Sequence, residues 1–178
     1  MDRNGKLRAF EYTLLRLTQW YSEISPLGDN DISILKSLKL LFFVSAVDTN
    51  VDSTETLLDE IFDNFAALPL GHVESDVYAG IKEGGLLYVT IDNRTSRITN
   101  LEEIEKLDIR YKKKIDDSVL KLKKLNDNLV MLSSFELVEL SHKWYSWKKN
   151  ILIAKNRGSS SQPIRVQEIK SEDKIYQL

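Results

Sequence analysis

The sequence predicts a mainly α-helical fold: a single compact helical domain carrying one small β-hairpin. Three observations predict it. Apolar residues recur at steps of three and four along most of the 178 residues, which is the period of a helix face. Two stretches, Asn100–Glu103 and Ser133–Glu136, place Glu three positions after a capping residue, the signature of a helix start. Only Leu86 to Thr99 changes to β-rich residues around a polar turn. A chain of this length buries a core as one domain.

Leu7, Phe10, Leu14, Leu17, Trp20 and Ile24 make one face of a first helix, which Ser25-Pro26-Leu27-Gly28 ends. Asp29, Asn30 or Asp31 caps the next. That second helix is the centre of the chain. From Leu38 to Val47 it is nearly all apolar with no sustained polar face, so it is buried on most sides. A bilayer span needs roughly 20 apolar residues, which this run does not reach. A third helix is expected from Asp52 or Ser53, through Leu57, Leu58, Ile61, Phe62 and Phe65, up to Pro69. Proline pushes the residue before it out of helical geometry, and Gly71 lets the backbone turn. The result is an elbow at Leu70–His72. A new helix is expected at His72–Val73, with Glu74 and Asp76 in its first turn, stopping at Gly84-Gly85.

Leu86–Thr99 then forms the hairpin around Asp92-Asn93-Arg94. Leu101, Ile104, Leu107, Tyr111, Ile115, Val119, Leu122 and Leu125 continue one stripe, as a long helix over Asn100–Asn126 or two helices meeting near Asp108. The last long helix is expected over Ser134–Lys155. Leu137, Leu140, Trp144, Trp147 and Ile151 form its seam, and Phe135, Val138, His142 and Tyr145 a second stripe roughly 140° away. A helix apolar on two sides is enclosed. Leu41, Phe42, Trp144 and Trp147 are the expected core anchors. Residues 156–163 are loop by composition, and the tail 164–178 fits a short helix or a strand.

Composition narrows the chemistry. The net charge of −2 supplies no global field for nucleic acid or an anionic membrane. Without cysteine there is no thiol catalysis and no cysteine-based metal site. The first residues lack the apolar core of a signal peptide, so a cytoplasmic location is expected. Gly84-Gly85 precedes a strand and is no phosphate loop, and no serine sits in a Gly-x-Ser-x-Gly elbow. The lysines at 112–114, 121, 123 and 124 spread over a whole polar face interrupted by Asp116 and Asp117, which reads as a solvated surface. His72 and His142 are the only histidines. Paired with Glu74 or Asp76 they would make a small metal- or acid/base-dependent hydrolase. The plainer reading makes His72 a helix-start residue and His142 a hydrogen-bonded core residue. No cofactor, metal or catalytic residue is expected.

Three segments carry a resemblance. Lys39-Leu40-Leu41-Phe42-Phe43 resembles the "KLLYF" helix of the SocA-like antitoxin family, also called Panacea domains. Phe62–Tyr78 is similar to that family's "F…A…YGPV…VY" segment, and Leu140–Trp147 to its late "LSH…W" helix. Order and spacing agree, and the resemblance covers most of residues 36–151. Leu70 stands where the family has an aromatic, and His72 where it has proline. The resemblance implies a mainly helical fold with a small β element. It implies a non-enzymatic, phage-associated antitoxin that neutralises a co-encoded toxin by direct binding, in some cases by delivery to a Clp-class protease. The expected binding residues are Leu70, Gly71 and His72 at the elbow, and Tyr88, Asn93 and Arg94 on the hairpin, because loops on a rigid scaffold carry recognition. Neither a membrane nor nucleic acid is an expected partner.

Overall fold

A computed structural model describes all residues, 1–178. The fold is mainly helical, as expected, with two small antiparallel sheets. Helix α1 (Arg3–Ile24) starts where the Asp2 carboxylate accepts from the Gly5 N–H. Helix α2 (Ile34–Ala46) is capped by Ser33, and eleven of its thirteen residues are buried. It lies at the centre, packed against the first sheet and helices on either side. Hydropathy places it there, since no face of the run is polar enough to prefer water. No helix is long and apolar enough to cross a membrane.

The next stretch corrects the expectation. Helix α3 covers only Leu57–Glu60; Phe65–Leu68 is strand β1 and Gly71–Glu74 is strand β2. They pair antiparallel, Phe65 opposite Glu74 and Leu68 opposite Gly71. The elbow is therefore the turn of a hairpin. Almost every residue of both strands is buried, so the alternation that marks a half-buried strand is missing. A short apolar run of this kind cannot be told from a buried helix by period alone. Helix α4 begins at Ser75, later than expected, with Glu74 as its cap, and ends at Lys82.

Strands β3 (Val89–Ile91) and β4 (Ser96–Ile98) form the expected hairpin. Asn100 caps the short α5 (Leu101–Ile104), and Asp108 caps α6 (Ile109–Leu125). The stripe is thus two helices meeting at Asp108. A 3-10 turn at Asp127–Met131 leads to α7 (Ser134–Lys143), opened by the reciprocal Ser133–Glu136 capping box. The last long helix is not continuous. Trp144 is extended, and α8 (Tyr145–Asn156) starts afresh. No Gly or Pro marks the break, and the seam residues Leu137, Leu140, Trp144 and Ile151 are buried in both pieces, so the spacing hid it. Of the second stripe, Phe135 and Tyr145 are 68% and 67% exposed while Val138 is buried and His142 half-buried, so that side is covered only in part. Within the expected loop, Gln162–Pro163 adds a third strand, β5, to β1. The tail contains the short helix α9 (Val166–Ser171).

One cluster of 38 buried apolar residues includes Phe10 and Leu14 from α1, Phe42 and Phe43 from α2, Trp144, and Ile169 and Tyr176 from the tail. The flanks of residues 36–151 therefore share their core. Leu41, Phe42 and Trp144 are fully enclosed, while Trp147 is partly exposed.

Candidate functional site

The three resembling segments meet at one point. Phe42 of α2 stacks on the ring of His72 in β2, with centroids 3.7 Å apart and planes 6° from parallel. Trp144 stands edge-on to Phe42 at 4.8 Å. Around this apolar contact lies a closed polar network. His72 Nδ1 is 2.8 Å from the Ser141 hydroxyl, and Nε2 is 2.8 Å from the Ser146 hydroxyl. The neutral ring donates to one serine and accepts from the other. Burial, with the Lys39 and His142 charges against it, holds the His72 pKa well below its ordinary value.

Lys39 is also fully buried, and its Nζ donates to the His72 carbonyl. Burial alone pushes this lysine down to about 7. On the same residue, the His72 N–H donates to Ser141 Oγ at 3.1 Å. Side chains of α2 and α7 thus cap the outer edge of β2, where no further strand is paired. Gly71 makes the close approach possible. Its φ is +96°, and a Cβ there would sit 2.5 Å from Ser141 Oγ and 3.1 Å from Lys39 Nζ.

His72 is completely enclosed, so it is no surface binding residue, nor the helix-start residue the sequence suggested. Nor do the histidines form a shared site with Glu74 or Asp76. The His142 ring stacks on Trp147 at 3.6 Å. Burial lowers its pKa against the opposing pull of the Pro69 carbonyl, and its Nε2 has no partner. Trp147 Nε1 in turn donates to the Leu68 carbonyl at 2.8 Å, tying α8 to the hairpin turn. Glu74 and Asp76, with Asp63, surround the buried Lys6 ammonium of α1, at 2.6 Å from Asp63 and 2.9 Å from Glu74. Burial opposes the charge on Lys6, but the three carboxylates outweigh it and raise its pKa. This cluster fastens α1 to β2 and α4.

The surface above the network is different. Leu70 at the hairpin turn is 46% exposed. With Leu35 and Leu38 of α2, Val73, Tyr78 of α4 and Asn93, it lines an apolar groove of about 360 Å³. The β3–β4 turn is held against the groove by Ile34 N–H, which donates to the Asp92 carbonyl at 2.9 Å. Leu70 and Asn93 therefore share one surface, Arg94 is exposed next to it, and Gly71 supports it from below. Tyr88 is elsewhere. It is half-buried under the Arg8 guanidinium, 5.0 Å from its ring, and its N–H donates to the buried Glu11 carboxylate at 2.7 Å. That carboxylate also takes the Leu87 N–H, so Glu11 anchors the base of the second hairpin to α1.

Of the network, the sequence singled out only His72. Lys39 carried a signal, a charge opening an otherwise apolar run; Ser141 and Ser146 lay within the resembling Leu140–Trp147 segment, but nothing in the local pattern linked them to His72. No family model, no curated protein and no solved structure matches this chain.

Proposed function

We propose that this chain is a binding protein of the antitoxin type, which neutralises a co-encoded toxin by direct stoichiometric contact. One observation carries the reading. The three segments that resemble the SocA-like antitoxins, distant in sequence, converge on a single stack of Phe42, His72 and Trp144. A shared scaffold requires such a convergence. The groups that would serve a hydrolase are occupied by the scaffold: His72 is fully enclosed with both ring nitrogens bonded to Ser141 and Ser146, and Glu74 and Asp76 hold the Lys6 ammonium. What faces solvent instead is apolar groove and hairpin turn, the kind of surface on which a few anchors exclude water. The lysines of α6 support the same reading against nucleic acid, because Lys112, Lys113, Lys114, Lys121 and Lys123 each pair with a carboxylate. Delivery of the bound toxin to a Clp-class protease is the extension the resemblance suggests.

The test is co-expression with the neighbouring reading frame while the ratio of the two proteins is varied. Protection should saturate at equimolar protein and should be lost when Asn93-Arg94 is replaced by Gly-Gly. Full protection far below equimolar ratio would mean turnover and would overturn the proposal.

A further inference from the structure

The last residues of the chain lie in a seat with the features of a peptide site. We infer that residues 172–176 are its resident occupant, and that a partner's extended segment, with an acid followed three and four residues on by an aliphatic and an aromatic, exchanges with them. The seat is at the start of α8, apart from the Leu70 groove, so it stands or falls without the antitoxin role.

The seat is made of side chains and a helix end. Helix α8 opens at Trp144 without a side-chain cap of its own. The tail supplies one: Glu172 Oε2 accepts from the Ser146 N–H at 2.9 Å, where the helix dipole favours an anion. Further on, Trp144 Nε1 donates to the Ile175 carbonyl at 2.9 Å, and Asn126 Nδ2 to the Tyr176 carbonyl at 2.7 Å. The Tyr176 ring enters an aromatic corner, edge-on to Trp144 at 5.7 Å and to Phe43 at 6.2 Å. Asp173 and Gln177 face water. An anchored acid, hooked carbonyls and a seated aromatic are the parts of extended-peptide recognition, in which main-chain bonds hold the segment and pockets choose its side chains.

Backbone and fit both mark the tail as exchangeable. From Asp173 to Leu178 no backbone–backbone hydrogen bond holds it, so its release breaks no ladder. It also fits its seat imperfectly. Among buried side-chain atoms without a hydrogen bond, those of Arg8, Glu11, Arg16 and Glu60 lie in ion pairs. The others are His142 Nε2, Glu172 Oε1 and the Tyr176 hydroxyl, and the last two belong to the tail. A buried polar atom left unpaired loses its water and gains nothing in return. A segment with Phe at the Tyr176 position fills the same corner without that loss and is the better ligand. The tail holds the seat because it is tethered beside it, which multiplies its effective concentration, and a better-fitting segment can take its place.

Fluorescence anisotropy of a labelled peptide copying residues 170–178, titrated with the purified full chain and its variants, tests the exchange. In the unaltered chain the tethered tail competes at an effective concentration on the order of millimolar, so the copy should bind poorly. Full-length Glu172→Ala and Tyr176→Ala, which loosen the tail at opposite ends, should each bind it at least about tenfold more tightly. Against Tyr176→Ala, Phe for Tyr in the peptide should strengthen binding, and Ala for Glu should weaken it at least about tenfold. An unrelated sequence keeping only the acid, the aliphatic and the aromatic at their spacing should compete, and a scrambled one should not. Asn126→Ala added to Tyr176→Ala should weaken the copy, which then lacks its carbonyl bond. Failure of both tail variants to bind the peptide, or binding indifferent to Asn126→Ala, would overturn the inference. So would loss of helical dichroism in both, since a tail the fold cannot release is core and no ligand. Dimers of the tail variants by light scattering, in place of peptide binding, would name a second copy as the occupant and overturn the partner. None of these readouts involves a toxin, so the co-expression assay decides the antitoxin role by itself.

Discussion

Lys39 and His72 lie in the same dry part of the core, and each resists a proton there. Burial brings the lysine from 10.5 to about 7 and takes the histidine well below 6.5. In both cases the unfolded chain binds a proton that the folded chain has released. Stability therefore rises with pH between about 7 and 10, through Lys39, and falls as pH drops below about 6.5, through His72. Urea-unfolding midpoints across that range should show both limbs. Lys39→Met should flatten the upper limb and leave the lower one, whatever it does to absolute stability. An upper limb unchanged by the substitution would mean that the amine stays charged in the folded chain. This residue pair also shows what a sequence withholds. His72 was legible as unusual, but its fate was set by Ser141 and Ser146, about seventy residues away, which no local pattern links to it.

At the scale of elements, the first hairpin depends on its turn. Gly71 is at positive φ with Ser141 and Lys39 where a side chain would begin. Gly71→Ala therefore combines backbone strain of about 1 kcal/mol or more with a collision in a packed site, and should cost roughly 2–4 kcal/mol in all. Adding Ser141→Gly should restore only part of it, since the φ remains. Calorimetry on the two variants checks this. Elements with one wet face were legible from period and caps: α1, α6, the second hairpin and the start of α7. The ones that were not have wet faces on neither side or break without a marker. β1 and β2 are buried on both faces, and the break at Trp144 keeps the seam in register. The candidate site divides the same way, because exposed Leu70, Asn93 and Arg94 could be placed by loop chemistry while enclosed His72 could not.

For the molecule as a whole, closure involves the tail. Trp144 Nε1 donates to the Ile175 carbonyl at 2.9 Å, and the Tyr176 ring meets Trp144 and Phe43 edge-on at 5.7 and 6.2 Å. Truncation after Ser171 should uncover Trp144 and lower the melting midpoint. Dye binding to exposed apolar surface should rise while helical dichroism largely persists. A truncated chain that melts as the full one does would show the tail to be a passenger.

The convergence of Lys39, His72 and Ser141 also sets an order in time. Each helix forms from near neighbours, but their meeting closes loops of 33 and 69 residues. During synthesis at about 5–20 residues per second, the α2 lysine waits on the order of ten seconds for the serine of α7. Until then the face of α2, the most apolar helix of the chain, that packs against α7 stays uncovered. An open apolar face of this kind invites association, so a chaperone that covers it until α7 has left the ribosome should raise the folded yield.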